Sequence, residues 1–111
     1  VVASQEIFGP VLTFQTWSDE YAMMQTANLL DYGLAAGIWT ENLGRAHRTA
    51  RDIQAGRVWI NCYNLFPSGA AFGGTKASGY GREDAFETMY AFTQVKNVVA
   101  DLSEKPRSFY Q

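Results

Sequence analysis

The stretch from Leu34 to Thr40, "LAAGIWT", decides the fold. It is short and mostly apolar, and it lies between Gly33, a residue typical of helix ends, and Asn42, a residue typical of helix starts. Such a run is typical of a strand that is buried on both faces. A second apolar run, from Arg57 to Asn61, follows a helical stretch and predicts another strand. Strand, helix and strand in this order predict an α/β fold, a parallel sheet with flanking helices.

Upstream of this unit the sequence predicts one more strand and one more helix. The segment from Val11 to Trp17 is rich in residues that favour strands. Ser18 is a suitable N-cap residue, and we expect the helix that it caps to run to about Leu30. Gly33 is expected to end that helix.

Two further helices and a final strand complete the predicted order. Asn42 is expected to cap the second helix and Gly56 to end it, and Glu83 begins the third helix. The segment from Thr93 to Ala100 alternates roughly between apolar and polar residues and follows a helix. It predicts an edge strand that pairs with another chain. The inner face of the second helix is expected to carry Leu43, Ala46, Ala50 and Ile53.

Composition excludes several classes of function. The 111 residues are 47% hydrophobic and 18% charged, which favours a packed globular body. The net charge is −2 without a run of Lys or Arg, so we expect no nucleic-acid partner and no anionic membrane partner. No apolar stretch is long enough to cross a bilayer. A single cysteine allows no internal disulfide, and the cytoplasm is the expected compartment.

The glycine-rich stretch from Ala71 to Glu83, "AFGGTKASGYGRE", invites comparison with phosphate loops. The P-loop pattern needs a lysine directly after its last glycine and a hydroxyl residue after that lysine. Here Thr75 separates Gly74 from Lys76, and an alanine follows the lysine. The dinucleotide pattern also fails, because no third glycine stands at the required position after Gly81. Both failures disfavour a phosphate cradle, and a backbone hinge or the wall of a substrate pocket are the other possibilities for this stretch.

The one thiol, Cys62, is the obvious candidate nucleophile. A catalytic cysteine needs a lowered pKa, from a nearby cation, a histidine or a helix N-terminus. The one histidine, His47, falls in the middle of the second predicted helix, where we expect it to face solvent. We therefore predict that Cys62 is a small buried residue, and that this chain contains no catalytic residue and no metal ligand.

Four motifs carry a resemblance to a known family. They are "QEIFGPVL", "YGLAAGIWT", "AGRVWINCYN" and "FGGTKASGYGRE", in this order. Together they resemble the C-terminal quarter of the NAD(P)-dependent aldehyde dehydrogenase superfamily, and the resemblance covers the chain from Gln5 to about Val99. In that family a cysteine attacks the aldehyde, hydride passes to NAD or NADP, and a glutamate activates the water that releases the acid.

The resemblance also implies what this chain lacks. In the family the nucleophile, the base and the nucleotide-binding domain all precede the motif "EIFGP". We therefore expect the chain to be a fragment of a larger oxidoreductase and to be inactive by itself. The absence of an initiator methionine agrees with that expectation. The expected divisions are residues 1–91 as the end of the catalytic domain, 92–100 as an oligomerisation strand and 101–111 as a tail.

Particular roles follow from the resemblance. Glu6 corresponds to the carboxylate that binds the nicotinamide ribose hydroxyls, and Phe8 to the aromatic residue beside the nicotinamide. Phe66 and Phe72 correspond to aromatic residues of the substrate tunnel. The residue before Phe72 is usually proline in the family and is Ala71 here, which makes the turn less rigid.

Three charged residues of the glycine-rich stretch are expected to be structural. Lys76 is expected to be a surface residue or a contact between segments rather than a catalytic base, and Arg82 to tie the loop to a neighbouring element or subunit. Glu83 is expected to be structural, with a place on a water path as the alternative.

The expected partners are an aldehyde, the remainder of the enzyme and further copies of the chain in a dimer or tetramer, paired through residues 93–100. Two alternatives remain open at this point. One is a non-catalytic interaction module that dimerises by exchanging its last strand. The other is an acylating relative that makes acyl-CoA. The identity of the aldehyde, and the choice between NAD and NADP, are left open by the sequence.

Overall fold

The structure is a computed structural model, and it describes residues 2–105. Its elements, in chain order, are α1 (Glu20–Asn28), β1 (Tyr32–Gly33), β2 (Ala35–Ile38), α2 (Leu43–Asp52), β3 (Arg57–Ile60), β4 (Thr75–Lys76) and α3 (Glu87–Ala91).

The centre of the molecule is a β2–α2–β3 unit. β2 and β3 pair in parallel, with Ala35 opposite Arg57 and Ile38 opposite Ile60. A parallel pair needs a crossover connection, and α2 supplies it. Ala46 on α2 and Trp59 on β3 are the buried hydrophobic residues of the described part, at 1% and 7% exposure. This unit agrees with the two strands and the intervening helix predicted from the sequence.

The helix boundaries differ in part from the predicted ones. Asn42 caps α2 as predicted, because its side-chain oxygen accepts a hydrogen bond from the Arg45 N–H at 2.9 Å. The predicted cap of α1 was wrong, since Asp19 rather than Ser18 accepts from the Ala22 N–H, at 2.7 Å. The carboxylate of Asp19 also suits the positive end of the helix dipole better than a hydroxyl does.

The two glycines expected to end the helices have another role. α1 ends at Asn28 and α2 at Asp52, before Gly33 and Gly56 respectively. A Cβ atom at Gly56 would overlap the backbone carbonyl of Gly73. Both glycines therefore lie where two backbone segments meet at a distance that no side chain allows.

A short antiparallel pair, β1 with β4, was not predicted. Tyr32 lies opposite Lys76, and Gly33 lies opposite Thr75. The Lys76 ammonium reaches further and donates to the carbonyl oxygens of Asn28 and Leu30, at 2.7 and 2.8 Å. It thereby satisfies carbonyls at the C-terminal end of α1, where a cation is favoured. The predicted role of Lys76 as a contact between segments is confirmed.

Asn28 connects the ends of the two longer helices. Its amide nitrogen donates to the Asp52 carbonyl at 2.9 Å, and its amide oxygen accepts from the Gln54 N–H at 2.8 Å. One side chain therefore holds α1 against the C-terminal end of α2. At the other end of α1, the Glu20 carboxylate forms an ion pair with Arg45 of α2.

The predicted strand at residues 11–17 is wrong, and α3 begins at Glu87 rather than at Glu83. Residues 93–100 also form no regular secondary structure in this single chain, and their pairing with another copy stays a prediction. The reason for the two missing strands is that a strand needs a partner for its backbone groups. α3 begins late because the backbone of Glu83 pairs with that of Phe72 instead.

Much of the apolar surface is exposed. The structure extends 76 Å along its longest axis and has a radius of gyration of 22.4 Å, against about 13 Å for a compact domain of similar length. β2 is half-buried rather than buried on both faces, with Gly37 exposed, and Leu43 of α2, expected on the inner face, is 67% exposed. The prediction of a packed globular body is therefore wrong for this chain by itself. Between residues 2 and 105, none of the helices has the length and hydrophobicity needed to cross a membrane.

We predict that Gly56→Ala destabilises the protein by about 1–3 kcal/mol. The added Cβ would overlap the Gly73 carbonyl oxygen, a backbone atom that cannot rotate away as a side chain can. Urea unfolding of the full-length protein measures the change. The matched control is Gly81→Ala, since a Cβ atom at Gly81 would have no heavy atom within 4 Å beyond its own residue and its chain neighbours. Equal unfolding midpoints for the two variants would contradict the close approach of the two backbones.

Candidate functional site

The guanidinium of Arg57 organises the segment that follows β3. Its Nη1 donates to the carbonyl oxygen of Leu65 at 3.0 Å. Its Nη2 donates to the carbonyl oxygens of Ala70 and Ala71, at 2.9 and 3.0 Å. Hydrogen bonds from a charged donor are stronger than neutral ones, and the planar guanidinium fixes their directions. Arg57 therefore holds residues 65–71 against the first residue of β3.

The same guanidinium lies among three aromatic rings. Its carbon is 5.8 Å from the ring centroid of Trp59, 5.2 Å from that of Phe66 and 5.7 Å from that of Phe72. These distances fall within the range of cation–π attraction. The rings of Phe66 and Phe72 pack edge to face, with centroids 5.1 Å apart. The two residues predicted to face the same space are therefore in direct contact.

Two more aromatic residues extend this surface. The ring of Tyr63 lies 4.8 Å from that of Trp59 and 6.4 Å from that of Trp39. The Trp59 indole N–H donates to the Leu65 carbonyl at 2.8 Å, so that this carbonyl is held by both Trp59 and Arg57. We call these five rings the aromatic cluster, and its members are Trp39, Trp59, Tyr63, Phe66 and Phe72.

Asn61 sets the direction in which the chain leaves β3. Its backbone φ is 54°, in the left-handed region that Asn adopts more readily than most residues. Its amide oxygen accepts from the Thr40 N–H at 2.8 Å, and its amide nitrogen donates to the Thr40 carbonyl at 2.9 Å. The side chain thus continues the β2–β3 ladder while the backbone turns away into the segment that carries the aromatic cluster.

Hydrogen bonds join the two ends of the glycine-rich stretch, and the Arg82 side chain binds carbonyls within it. The backbones of Phe72 and Glu83 exchange two hydrogen bonds, of 2.9 and 2.8 Å. Nη1 of Arg82 donates to the carbonyls of Gly74 and Gly81, at 2.6 and 2.8 Å. Arg82 therefore has a structural role within its own stretch, rather than the predicted one of tying the loop to a neighbouring element. The backbone of Glu83 has a structural role in fixing the position of Phe72.

Glu6 and Phe8 lie on a different surface from the aromatic cluster. Both are exposed and line one open depression of about 370 Å³, together with residues such as Ile7 and Leu12. Phe8 is 93% exposed and has a backbone φ of 52°, which is uncommon for an aromatic residue. Glu6 also lines a neighbouring cavity of about 420 Å³, which reaches Tyr32. The structure therefore divides the four predicted site residues into two pairs.

The remaining candidates take no visible part in either surface. Cys62 is half-buried, which is less than the predicted full burial, and His47 is exposed on α2 as predicted. Across residues 2–105, no group of three or more His, Cys, Asp or Glu side chains could hold a metal ion.

The pKa of Asp52 is lowered because Arg51 donates hydrogen bonds to its carboxylate, and that of Asp101 is lowered by hydrogen bonds from Ser103.

The sequence interpretation assigned no role to Arg57 or Asn61 beyond their places in a strand. A signal was present in both cases. An arginine at the first position of an apolar strand needs polar partners, because charged residues are seldom buried without them. An asparagine directly after a strand is typical of a left-handed turn. Neither signal specifies the hydrogen-bond partner. Leu65 lies eight positions from Arg57, and Thr40 lies 21 positions from Asn61.

Comparison with known proteins identifies the family. The chain matches the aldehyde dehydrogenase family over residues 1–98, and it belongs to that family. It is 46% identical over 109 residues to an aldehyde dehydrogenase of Deinococcus radiodurans, which covers 98% of this chain and 21% of the relative. It is 48% identical over 101 residues to betaine aldehyde dehydrogenase 2 of Rhizobium meliloti, covering 91% of this chain and 21% of the relative.

Solved structures agree with this assignment. The NAD+ complex of an aldehyde dehydrogenase from Bacillus cereus superposes with a TM-score of 0.82 at 42% identity, over 90% of this chain and 20% of that structure. PnpE from a Pseudomonas species superposes with a TM-score of 0.84 at 40% identity, over 96% of this chain and 22% of that structure. The α/β fold of the family is therefore shown, and the chain spans about a fifth of the length of the relatives that it matches.

We predict that Asn61→Ala destabilises the protein by roughly 2–4 kcal/mol, because it loses both bonds to Thr40 and strains alanine in the left-handed region. Asn61→Gly loses the same bonds but tolerates a positive φ, so we expect about half of that loss. Urea unfolding of both variants measures the difference. If alanine and glycine destabilise the protein equally, the backbone conformation contributes nothing and this explanation is wrong.

Proposed function

We propose that this chain is part of an oxidoreductase that oxidises an aldehyde to a carboxylic acid with NAD or NADP. Membership of the aldehyde dehydrogenase family supports the reaction class. The observation that carries the proposal is the contact between Phe66 and Phe72, whose rings meet edge to face at 5.1 Å. Two rings held in one place form an apolar wall of the kind that lines small-molecule sites.

We call the surface formed by Phe66 and Phe72 the aromatic wall, and it suits an apolar aldehyde. Phe66 is 45% exposed and Tyr63 is 63% exposed, so each ring keeps a free surface in this chain. Such rings suit aliphatic or aromatic aldehydes, which bury apolar area against them. The names of the relatives differ in substrate, from betaine aldehyde to indole-3-acetaldehyde. We therefore propose the class of the aldehyde and not its identity.

Glu6 and Phe8 are the proposed cofactor contacts. An ionised carboxylate only accepts hydrogen bonds, so Glu6 suits the two hydroxyl donors of a ribose. Phe8 lies on the same open depression as Glu6 and presents an almost fully exposed ring to a flat nicotinamide. Four of the similar solved structures are NAD+ complexes, which supports this class of cofactor. When bound, NAD(P)+ would accept hydride from the substrate.

The thiol nucleophile and the base are proposed to lie outside this chain. Cys62 is half-buried directly after Asn61, and His47 is exposed on α2. We propose that this chain supplies the ribose contact, the aromatic wall and a pairing segment, and that it does not turn over aldehyde by itself.

Residues 93–100 are the proposed pairing segment. In this chain the segment lacks regular structure, and Val95, Val98 and Val99 are 98%, 77% and 84% exposed. Pairing with the sheet of another copy would satisfy its backbone groups and cover the three valines. The same observation favours the second candidate function, an interaction module without catalysis, and an enzyme assay separates the two.

We predict that the full-length protein reduces NAD or NADP in the presence of an aldehyde, and that Glu6→Gln slows this reaction about ten- to a hundredfold. The amide keeps one acceptor but loses charge-assisted bonds worth roughly 1.5–3 kcal/mol. NADH or NADPH absorbance measures the rate. Glu41→Gln, at an exposed carboxylate before α2, is the matched control.

Two results would count against these assignments. A wild-type protein that oxidises no aldehyde would favour the interaction module. Unchanged kcat and unchanged cofactor KM in Glu6→Gln would remove the ribose contact while leaving the reaction class intact.

We also predict that Val95→Pro lowers the oligomer mass of the full-length protein. Proline removes one backbone N–H and clashes with regular strand pairing. Size-exclusion chromatography with light scattering measures the mass, and Leu102→Pro is the control, since Leu102 is equally exposed but lies outside the pairing segment. An unchanged mass in Val95→Pro would show that the segment does not hold the assembly together.

A further inference from the structure

We propose that Arg57 is a positioning residue that sets the aldehyde selectivity of the aromatic wall, by holding Phe66 against Phe72. This inference rests on the proposed function of that wall. Three backbone carbonyls, those of Leu65, Ala70 and Ala71, accept from one guanidinium. Leu65 directly precedes Phe66, and Ala70 and Ala71 directly precede Phe72.

Arg57 belongs to the β2–β3 sheet, whereas the segment that it holds belongs to no regular element. Arg57 is the first residue of β3, its backbone N–H donates to the Leu34 carbonyl at 3.2 Å, and it pairs with Ala35. The segment from Cys62 to Ala71 contains neither helix nor strand. Its conformation therefore depends on bonds to fixed neighbours, and Arg57 supplies three of them.

The two phenylalanines depend on Arg57 to different degrees. The backbone of Phe72 is also fixed by its two hydrogen bonds with Glu83. Phe66 follows Leu65, whose carbonyl accepts from Arg57 and from the Trp59 indole. Loss of the guanidinium removes one of these two bonds and the cation that lies 5.2 Å from the Phe66 ring. We therefore expect the loss of the guanidinium to displace Phe66 more than Phe72.

The consequence for selectivity follows from size. An aldehyde with an aromatic ring is large enough to contact both phenylalanines, whereas acetaldehyde buries little area against either. Displacing Phe66 should weaken binding of the large aldehyde and leave the small one nearly unaffected. A general loss of structure would instead reduce both activities together.

The test compares Arg57→Met, Arg57→Lys and the control Arg51→Met in the full-length protein. Arg51 is an exposed arginine of α2 that pairs with Asp52. For Arg57→Met we expect the ratio of kcat/KM for phenylacetaldehyde to that for acetaldehyde to fall about three- to tenfold, mainly through KM. Arg57→Lys keeps the charge but not the planar fork, so we expect a smaller fall. Arg51→Met should keep the wild-type ratio.

Hydrogen exchange measured by mass spectrometry gives an independent readout. We expect amides of residues 62–71 to exchange faster in Arg57→Met, while those of α2 keep their wild-type rates. If Arg57→Met does not fold, Arg57→Lys decides by the same two measurements. A folded variant with an unchanged ratio, or one in which both aldehydes lose activity equally, overturns the inference. A wild-type protein without aldehyde oxidation instead overturns the proposed function, and unchanged exchange in the variant would still refute the positioning role.

Discussion

The parallel pairing of β2 with β3 is the interaction on which the rest of the structure depends. It fixes the crossover helix α2, and it places Ala46 and Trp59 at the most buried points of the described residues. The strands are separated in sequence by the helix α2. Their backbone hydrogen bonds nevertheless hold them in one register, with Ala35 opposite Arg57. The residues of the aromatic cluster lie in β3 or in the segments that follow β2 and β3.

Two side chains at the ends of β3 convert this strand pair into a site. Arg57 holds the following segment through three carbonyls, and Asn61 turns the chain away from Thr40 while keeping the ladder intact. A cation surrounded by rings and carbonyl oxygens is satisfied without a carboxylate partner. The aromatic cluster therefore combines apolar rings with a few fixed polar groups, which is typical of small-molecule sites.

The long exposed segments are consistent with a chain that shares its fold with much larger relatives. The trace superposes on the Bacillus cereus enzyme with a TM-score of 0.82 over 90% of its length, although it covers only 20% of that structure. The backbone thus keeps the family's path even where few neighbours from the chain itself contact it. Phe14 and Val95 are two of the apolar residues that this extended chain leaves exposed, at 87% and 98%.

The sequence by itself determined the β2–α2–β3 unit, the cap at Asn42 and the family. These depend on residue patterns and on contacts within a few positions along the chain. It also placed Phe66 and Phe72 together, through the resemblance. Only the tertiary structure decided that Gly56 meets Gly73, that Arg57 binds the Leu65 carbonyl and that residues 11–17 remain without a strand partner. Such contacts join groups that folding brings together in space, and local periodicity carries no information about which groups those are.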